Sequence, residues 1–214
     1  METIQENSTR ARILQAARRM FAKHGLKSAT VRDICELARA NVAAVSYYFG
    51  SKEELYAAVL RDHIESMERR HPRDKGVTPG SSAEERLRAF VQSVLYRIVG
   101  DGDPVAKQLG RLLAQEVIEP SPHFAKIFEK DRNPGQRLLL DIVRQFLPGA
   151  DDLTASRCVS SIIGQCVLLD FARDALTRMA PDLELKADNI EEFSDFIVKF
   201  SLGGLDRMSM RLSG

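Results

Sequence analysis

Between Asn41 and Leu55 the sequence reads NVAAVSYYFGSKEEL, with two alanine pairs, Ser46 and the adjacent Tyr47 and Tyr48 just ahead of a Ser-Lys-Glu-Glu run. At about 100° per residue on a helix, Val45 and Phe49 share one direction, while Ala43 and Tyr47 point the opposite way, flanked by Ala44 and Ser46. Val45 and Phe49 are expected in a core that Val42 helps to close. The opposite side is slim: its alanine methyls can meet thymine methyls, and its hydroxyls can meet base edges or phosphates in a DNA major groove. Such a side also suits plain solvation or a close helix contact, so its surroundings must decide.

Covalent chemistry finds little support. The chain has no GxSxG, no GxxxxGK[ST], no HExxH and no paired Cys/His ligand spacing, and His24, His63, His71 and His123 are scattered. Gly100-Asp-Gly-Asp103 lacks the spaced ligands and distal glutamate of a calcium loop and reads as a turn. No catalytic residue, cofactor or metal is expected. Cys35, Cys158 and Cys166 form no CxxC, and eight residues of helix would hold the last two roughly 12 Å apart, so reduced core thiols are expected.

The elements that position the slim helix are short and capped. Ile13, Leu14, Ala17, Met20 and Phe21 repeat at helical spacing and His24-Gly25 stops that helix. Thr30-Val-Arg-Asp33 is a capping box for a second helix with an apolar stripe of Ile34, Leu37 and Ala38. Asn41 caps the third, through about Phe49, and Ser51-Lys-Glu-Glu54 caps a fourth. Two short helices around a tight turn suggest helix-turn-helix. Charge agrees: residues 8–52 carry nine Lys or Arg against Asp33 and Glu36, a balance of +7 in a chain whose net charge is +1. A basic leading unit favours a polyanion partner.

Thr30 to Tyr56, TVRDICELARANVAAVSYYFGSKEELY, resembles the DNA-binding signature of TetR-type bacterial regulators, and its later part is similar to the CecR-like subgroup, some of whose members control drug-efflux genes. Arg39 stands where that family usually has glycine, which implies a positive φ there. The resemblance implies that Thr30 and Lys52 grip phosphates, that Arg32, Ala43, Ala44, Ser46 and Tyr47 face bases, and that Tyr48 suits the backbone; Asn41 joins this set.

Downstream, residues 69–82, RRHPRDKGVTPGSS, read as a linker between a DNA-binding domain at 8–68 and a helical domain at 83–210. Ser82 and Glu85 cap a helix through about Val99, and Asp103-Pro104 opens another through about Ile118. Asn133-Pro-Gly135 reads as a break before a helix over Arg137 to Leu147. A single helix is expected from Asp152 to Met179, apolar around much of its girth, and a last one, capped by Asp188, to about Met208. These two resemble the pair with which TetR-type proteins dimerise, with Ile162, Leu169, Phe193, Ile197 and Phe200 as interface candidates. Tyr96, Leu113, Phe124, Phe128, Gln165, Cys166 and Leu169 are candidates for an effector pocket, although buried aromatics are more often core and Asp170 with Arg173 more often an ion pair.

The expectation is therefore an all-α chain, with an N-terminal three-helix DNA-binding unit and a C-terminal helical ligand-binding and dimerisation domain. Its expected role is that of a cytoplasmic, ligand-responsive homodimeric repressor of a palindromic double-stranded DNA operator, released by a small apolar molecule, with no membrane partner. The rival is a helical protein-interaction adaptor without sequence-specific DNA binding.

Overall fold

The computed structural model describes residues 2–99, 102–119, 121, 122, 124 and 134–212. It is helical, with no strand among the described residues: α1 Glu2–Ser28, α2 Val31–Ala38, α3 Val42–Phe49, α4 Lys52–Arg70, α5 Ala83–Val99, α6 Pro104–Ile118, α7 Pro134–Phe146, α8 Asp152–Phe171, α9 Arg173–Met179 and α10 Ile190–Leu212. No single described helix is long and apolar enough to cross a membrane.

Contacts divide the chain into two compact units. The first comprises residues 1–67 and 102–130, so α6 packs with the N-terminal helices, directly on α1. Its core joins Ile13, Ala17 and Phe21 of α1, Ile34 and Ala38 of α2, Val45 of α3, Leu55, Val59 and Leu60 of α4, and Leu109 of α6. Tyr56 lies in this core with its ring edge-on to Phe21 at 5.1 Å. Burial raises its phenol pKa above the usual range, helped by the charge of Glu116 and a hydrogen bond to it.

The caps govern local structure as their chemistry demands. Thr30 Oγ1 accepts the Asp33 N–H at 3.1 Å, Asn41 Oδ1 the Ala43 N–H at 2.9 Å, and Ser51 Oγ the Glu54 N–H at 3.0 Å. Gly25 breaks α1 with a φ of 68°, beyond which a last turn runs to Ser28. Leu37 corrects the expected stripe: it is exposed, and Cys35 takes its place beside Ile34 and Ala38.

The second unit comprises residues 68–101 and 131–214. Here α5 packs along α10, and α7 and α8 close a core of Leu87, Phe90, Leu95, Leu139, Ile142, Leu147, Val159 and Val198. Three boundaries differ from expectation. Pro134 and Gly135 lie in the first turn of α7, where a proline needs no N–H partner, so this pair begins a helix rather than interrupting one. The stretch from Asp152 to Met179 is bent by 77° between α8 and α9. Asp170 and Arg173 pair across that corner at 3.1 Å. And the residue before α10 is Asn189, whose side chain accepts from Lys186 N at 2.8 Å and donates to Glu184 O at 2.9 Å, leaving Asp188 outside the capping position.

The three cysteines are free, with Cys35 and Cys166 buried and Cys158 partly so. Burial pushes the Cys166 thiol up to about 12. Since only the thiolate reacts, iodoacetamide at pH 8 is expected to leave Cys166 unmodified in the native protein and to label it after unfolding in urea, as read by peptide mass spectrometry.

Candidate nucleic-acid interface

The helix-turn-helix is α2 and α3, joined at a turn in which Arg39 takes φ 50° and ψ 50°. This is the left-handed conformation expected where glycine is usual, and it lets the Arg39 and Ala40 N–H groups turn back to Glu36 O and Cys35 O at 3.1 and 2.9 Å. Arginine holds it at a modest cost in backbone strain.

On α3, Val45 is buried and Phe49 half-buried, while Asn41, Ala43, Ser46 and Tyr47 are exposed and Ala44 and Tyr48 are intermediate. Tyr47 is 73% exposed and meets Tyr48 edge-on at 4.8 Å. The outward side is therefore the small, hydroxyl-bearing one. Val42 is the exception: it does not close the core but lies 51% exposed. At the first turn of an eight-residue helix it shares the outward surface with Ala43. Arg32, one residue into α2, is exposed on the same two-helix motif, as is Thr30, whose hydroxyl also donates to Asp33 Oδ2 at 2.6 Å.

Several cations have work inside the unit, which their charge alone did not reveal. Lys52 Nζ donates to Leu26 O at 2.9 Å and Ala29 O at 3.2 Å, tying the start of α4 to the connection that precedes Thr30. Arg12 Nε donates to Ala38 O at 3.2 Å, satisfying a carbonyl at the end of α2. The Arg10 guanidinium sits 5.1 Å over the Phe49 ring at the far end of α3. Arg18 is buried and paired with Asp62 at 2.5 Å. Arginines of α1 thus hold α2, α3 and α4, and partners 26 and 44 residues away are invisible to local sequence patterns.

The other candidates fall apart by unit. Leu113 and Phe124 pack against or within the core of the first unit. Cys166 belongs to the core of the second and Tyr96 and Leu169 pack, partly buried, against it, while Gln165 Nε2 donates to Ser201 Oγ at 3.2 Å; Phe128 lies outside the described residues. Among the interface candidates, Ile162 and Ile197 are corrected: both are buried in their own unit's core, and Leu169 and Phe193 are partly covered by it. Phe200 is exposed, together with Phe196 on α10 and Leu168 and Phe171 on α8.

Two family profiles match the chain. Residues 13–59 match "Bacterial regulatory proteins, tetR family", and residues 83–205 match "HTH-type transcriptional dual regulator CecR, C-terminal domain". The dual regulator CecR of Shigella flexneri is 27% identical over 143 residues, 62% of this chain and 61% of its own length, so the match spans less than two thirds of that relative. The repressor KstR2 of Mycobacterium tuberculosis is 32% identical over 145 residues, 66% of this chain and 68% of the relative. In fold, the chain is similar to AibR, solved in complex with isovaleryl coenzyme A and operator DNA, at TM-score 0.62 and 19% identity, covering 90% of this chain and 97% of that one.

Proposed function

The chain belongs to the TetR family of bacterial regulators, with a C-terminal domain of the CecR type, and from that membership we propose a ligand-responsive homodimeric repressor that reads a palindromic operator. Residues 8–68 act as its DNA-binding domain, 69–82 as the connection and 83–210 as the effector and pairing domain. Two α3 surfaces enter successive major grooves of half-sites about 34 Å apart or a multiple of that. The observation that carries this reading is the outward side of α3: Ala43, Ser46 and Tyr47 stand exposed on a helix braced from behind by α1. Such a side lets the backbone approach base edges closely. Arg32, Ala43, Ala44, Ser46 and Tyr47 face bases, Thr30, Asn41 and Tyr48 meet the backbone, and the remaining N–H of Lys52 reaches a phosphate.

Pairing uses the outward sides of α8 and α10, and a small molecule bound in the second unit favours a state whose heads no longer match the grooves. Shifting such an equilibrium almost completely requires a preference of roughly 5.5 kcal/mol for that state. Drug-efflux genes are among the targets proposed, and the cytoplasm is the site of action.

Binding of host genomic fragments, selected with the purified protein, tests this reading, and the salt dependence of that binding tests its electrostatic part. Lys52→Ala is expected to weaken every sequence alike and to reduce the slope of log affinity against log salt by about two for the bound dimer, because each of its two heads loses one phosphate contact. It is also expected to lower stability by about 2 kcal/mol, because two carbonyls lose a charged donor. An unchanged slope with lowered stability would show that Lys52 is an internal brace alone. A protein that retards no host fragment in dilute salt is not a DNA-binding regulator.

A further inference from the structure

In the second unit, two arginines compete for one carboxylate. Arg97 Nη2 lies 2.9 Å from Glu68 Oε2, and Arg73 Nη1 contacts the same oxygen. The arginine side chains are only 14% and 16% exposed, whereas Glu68 is 41% exposed. Arg97 also donates from Nε and Nη2 to His71 O at 3.2 and 2.7 Å, sharing that carbonyl with Ser93 Oγ at 2.6 Å. These bonds fix where the guanidinium points but add no negative charge.

A third positive feature borders the pair. Gly135, buried in the first turn of α7, is packed so closely on Arg73 that a Cβ there would come 2.4 Å from Nε and 2.9 Å from Cζ. The first turn of a helix carries partial positive charge, and α7, of 13 residues, has no acidic residue in that turn. Among the described residues, two guanidiniums therefore converge on a single half-exposed carboxylate, and a helix start packs against one of them. Both arginines stand well below their usual range, at about 10: burial lowers each, and the neighbouring charge of Arg97 contributes to the lowering of Arg73. One carboxylate between two largely covered guanidiniums leaves this cluster with a net positive charge among the described residues, which a bound anion would neutralise.

We propose that Arg73, Arg97 and the opening turn of α7, arranged by Glu68, bind the anionic group of a small effector, a carboxylate or a phosphate. This rests on the ligand-responsive reading and gives it a chemical class: the effector is apolar in its body and acidic at one end. Planar guanidiniums suit both anions through paired N–H donors.

The test uses the full chain and three probes at matched ionic strength: inorganic phosphate, hexanoate, and the neutral hexanamide. Isothermal titration is expected to show saturable binding of at least one anion and none of hexanamide; which anion binds more tightly tells a phosphorylated effector from a carboxylic acid. Arg73→Gln is expected to weaken that anion by about tenfold or more. Gly135→Ala keeps the charge and favours the helix, yet forces Arg73 out of place, so it too is expected to weaken the anion while the far-ultraviolet circular dichroism stays unchanged. Absence of saturable anion binding to the parent protein, equal binding of hexanamide and hexanoate, or unaltered affinity in both variants overturns the site. A protein that retards host DNA fragments but binds neither anion loses this inference alone; one that binds the anion but retards no DNA loses the regulatory reading and keeps the site.

Discussion

Phe200→Glu is expected to sediment as a monomer at concentrations where the parent chain is a dimer, with its helical circular dichroism intact. Phe196 and Phe200 stand one turn apart on α10, their rings 6.3 Å apart and inclined by 21°, and Phe200 is 66% exposed. Gly203, three residues further and so just short of another turn, is exposed too, and Gly164, Leu168 and Phe171 make a similar stripe along α8. Large aromatics at helical spacing beside glycine suit a helix face that another helix covers at close range. In a two-fold interface each substitution occurs twice. Losing the remaining burial of two rings costs about 2–4 kcal/mol, and leaving two unpaired carboxylates in the contact costs several more. Together these weaken association by on the order of 10³-fold or more. Operator affinity is expected to fall in parallel, because a lone head holds one half-site. Ile197→Glu, by contrast, places its charge in the second unit's core, where Ile197 is 3% exposed, and is expected to unfold that unit rather than separate two copies. If Phe200→Glu remains a dimer, the pairing surface lies elsewhere.

These two neighbouring positions also show what a sequence can and cannot disclose. Ile197 and Phe200 are both apolar and both at helical spacing, so periodicity marks them alike; only packing of α10 on α5 decides which one the chain itself covers. Val42 and Leu37 repeat the lesson in the first unit, since a helix of eight residues is too short for an apolar stripe to distinguish core from outward surface. Local chemistry was legible where its partners are near in sequence. Thr30, Asn41, Ser51, Ser82 and Asp103 each lie within three residues of the N–H they accept, and their helices begin as expected. The positive φ of Arg39 followed from the turn that it occupies. The bend at Ala172 had no glycine or proline to announce it, and the braces from Arg12, Arg18 and Lys52 reach across 23 to 44 residues. The lysine and arginines counted as charge toward a polyanion are, in these cases, also ties within the unit.

That distinction sharpens the expectation for Tyr47→Ala. The Tyr47 phenol is 73% exposed and covers no core, so removing it is expected to change thermal stability little, apart from the edge contact with Tyr48, worth about 0.5–1.5 kcal/mol. Sequence preference is another matter. A side chain that meets base edges contributes about 1–3 kcal/mol of discrimination at the positions it reads, so the preferred operator is expected to lose roughly tenfold or more of its advantage over a scrambled duplex. Affinity for the scrambled duplex and its salt slope are expected to hold, because no phosphate contact is removed. Lys52→Ala gives the converse pattern, a uniform loss with a shallower slope. Competition between labelled operator and scrambled duplex, read by fluorescence anisotropy at several salt concentrations, separates the two. Should Tyr47→Ala rank operator variants in the same order and by the same margins as the parent protein, α3 is seated with another side toward the bases, and Ala43, Ser46 and Tyr47 must be reassigned to solvent.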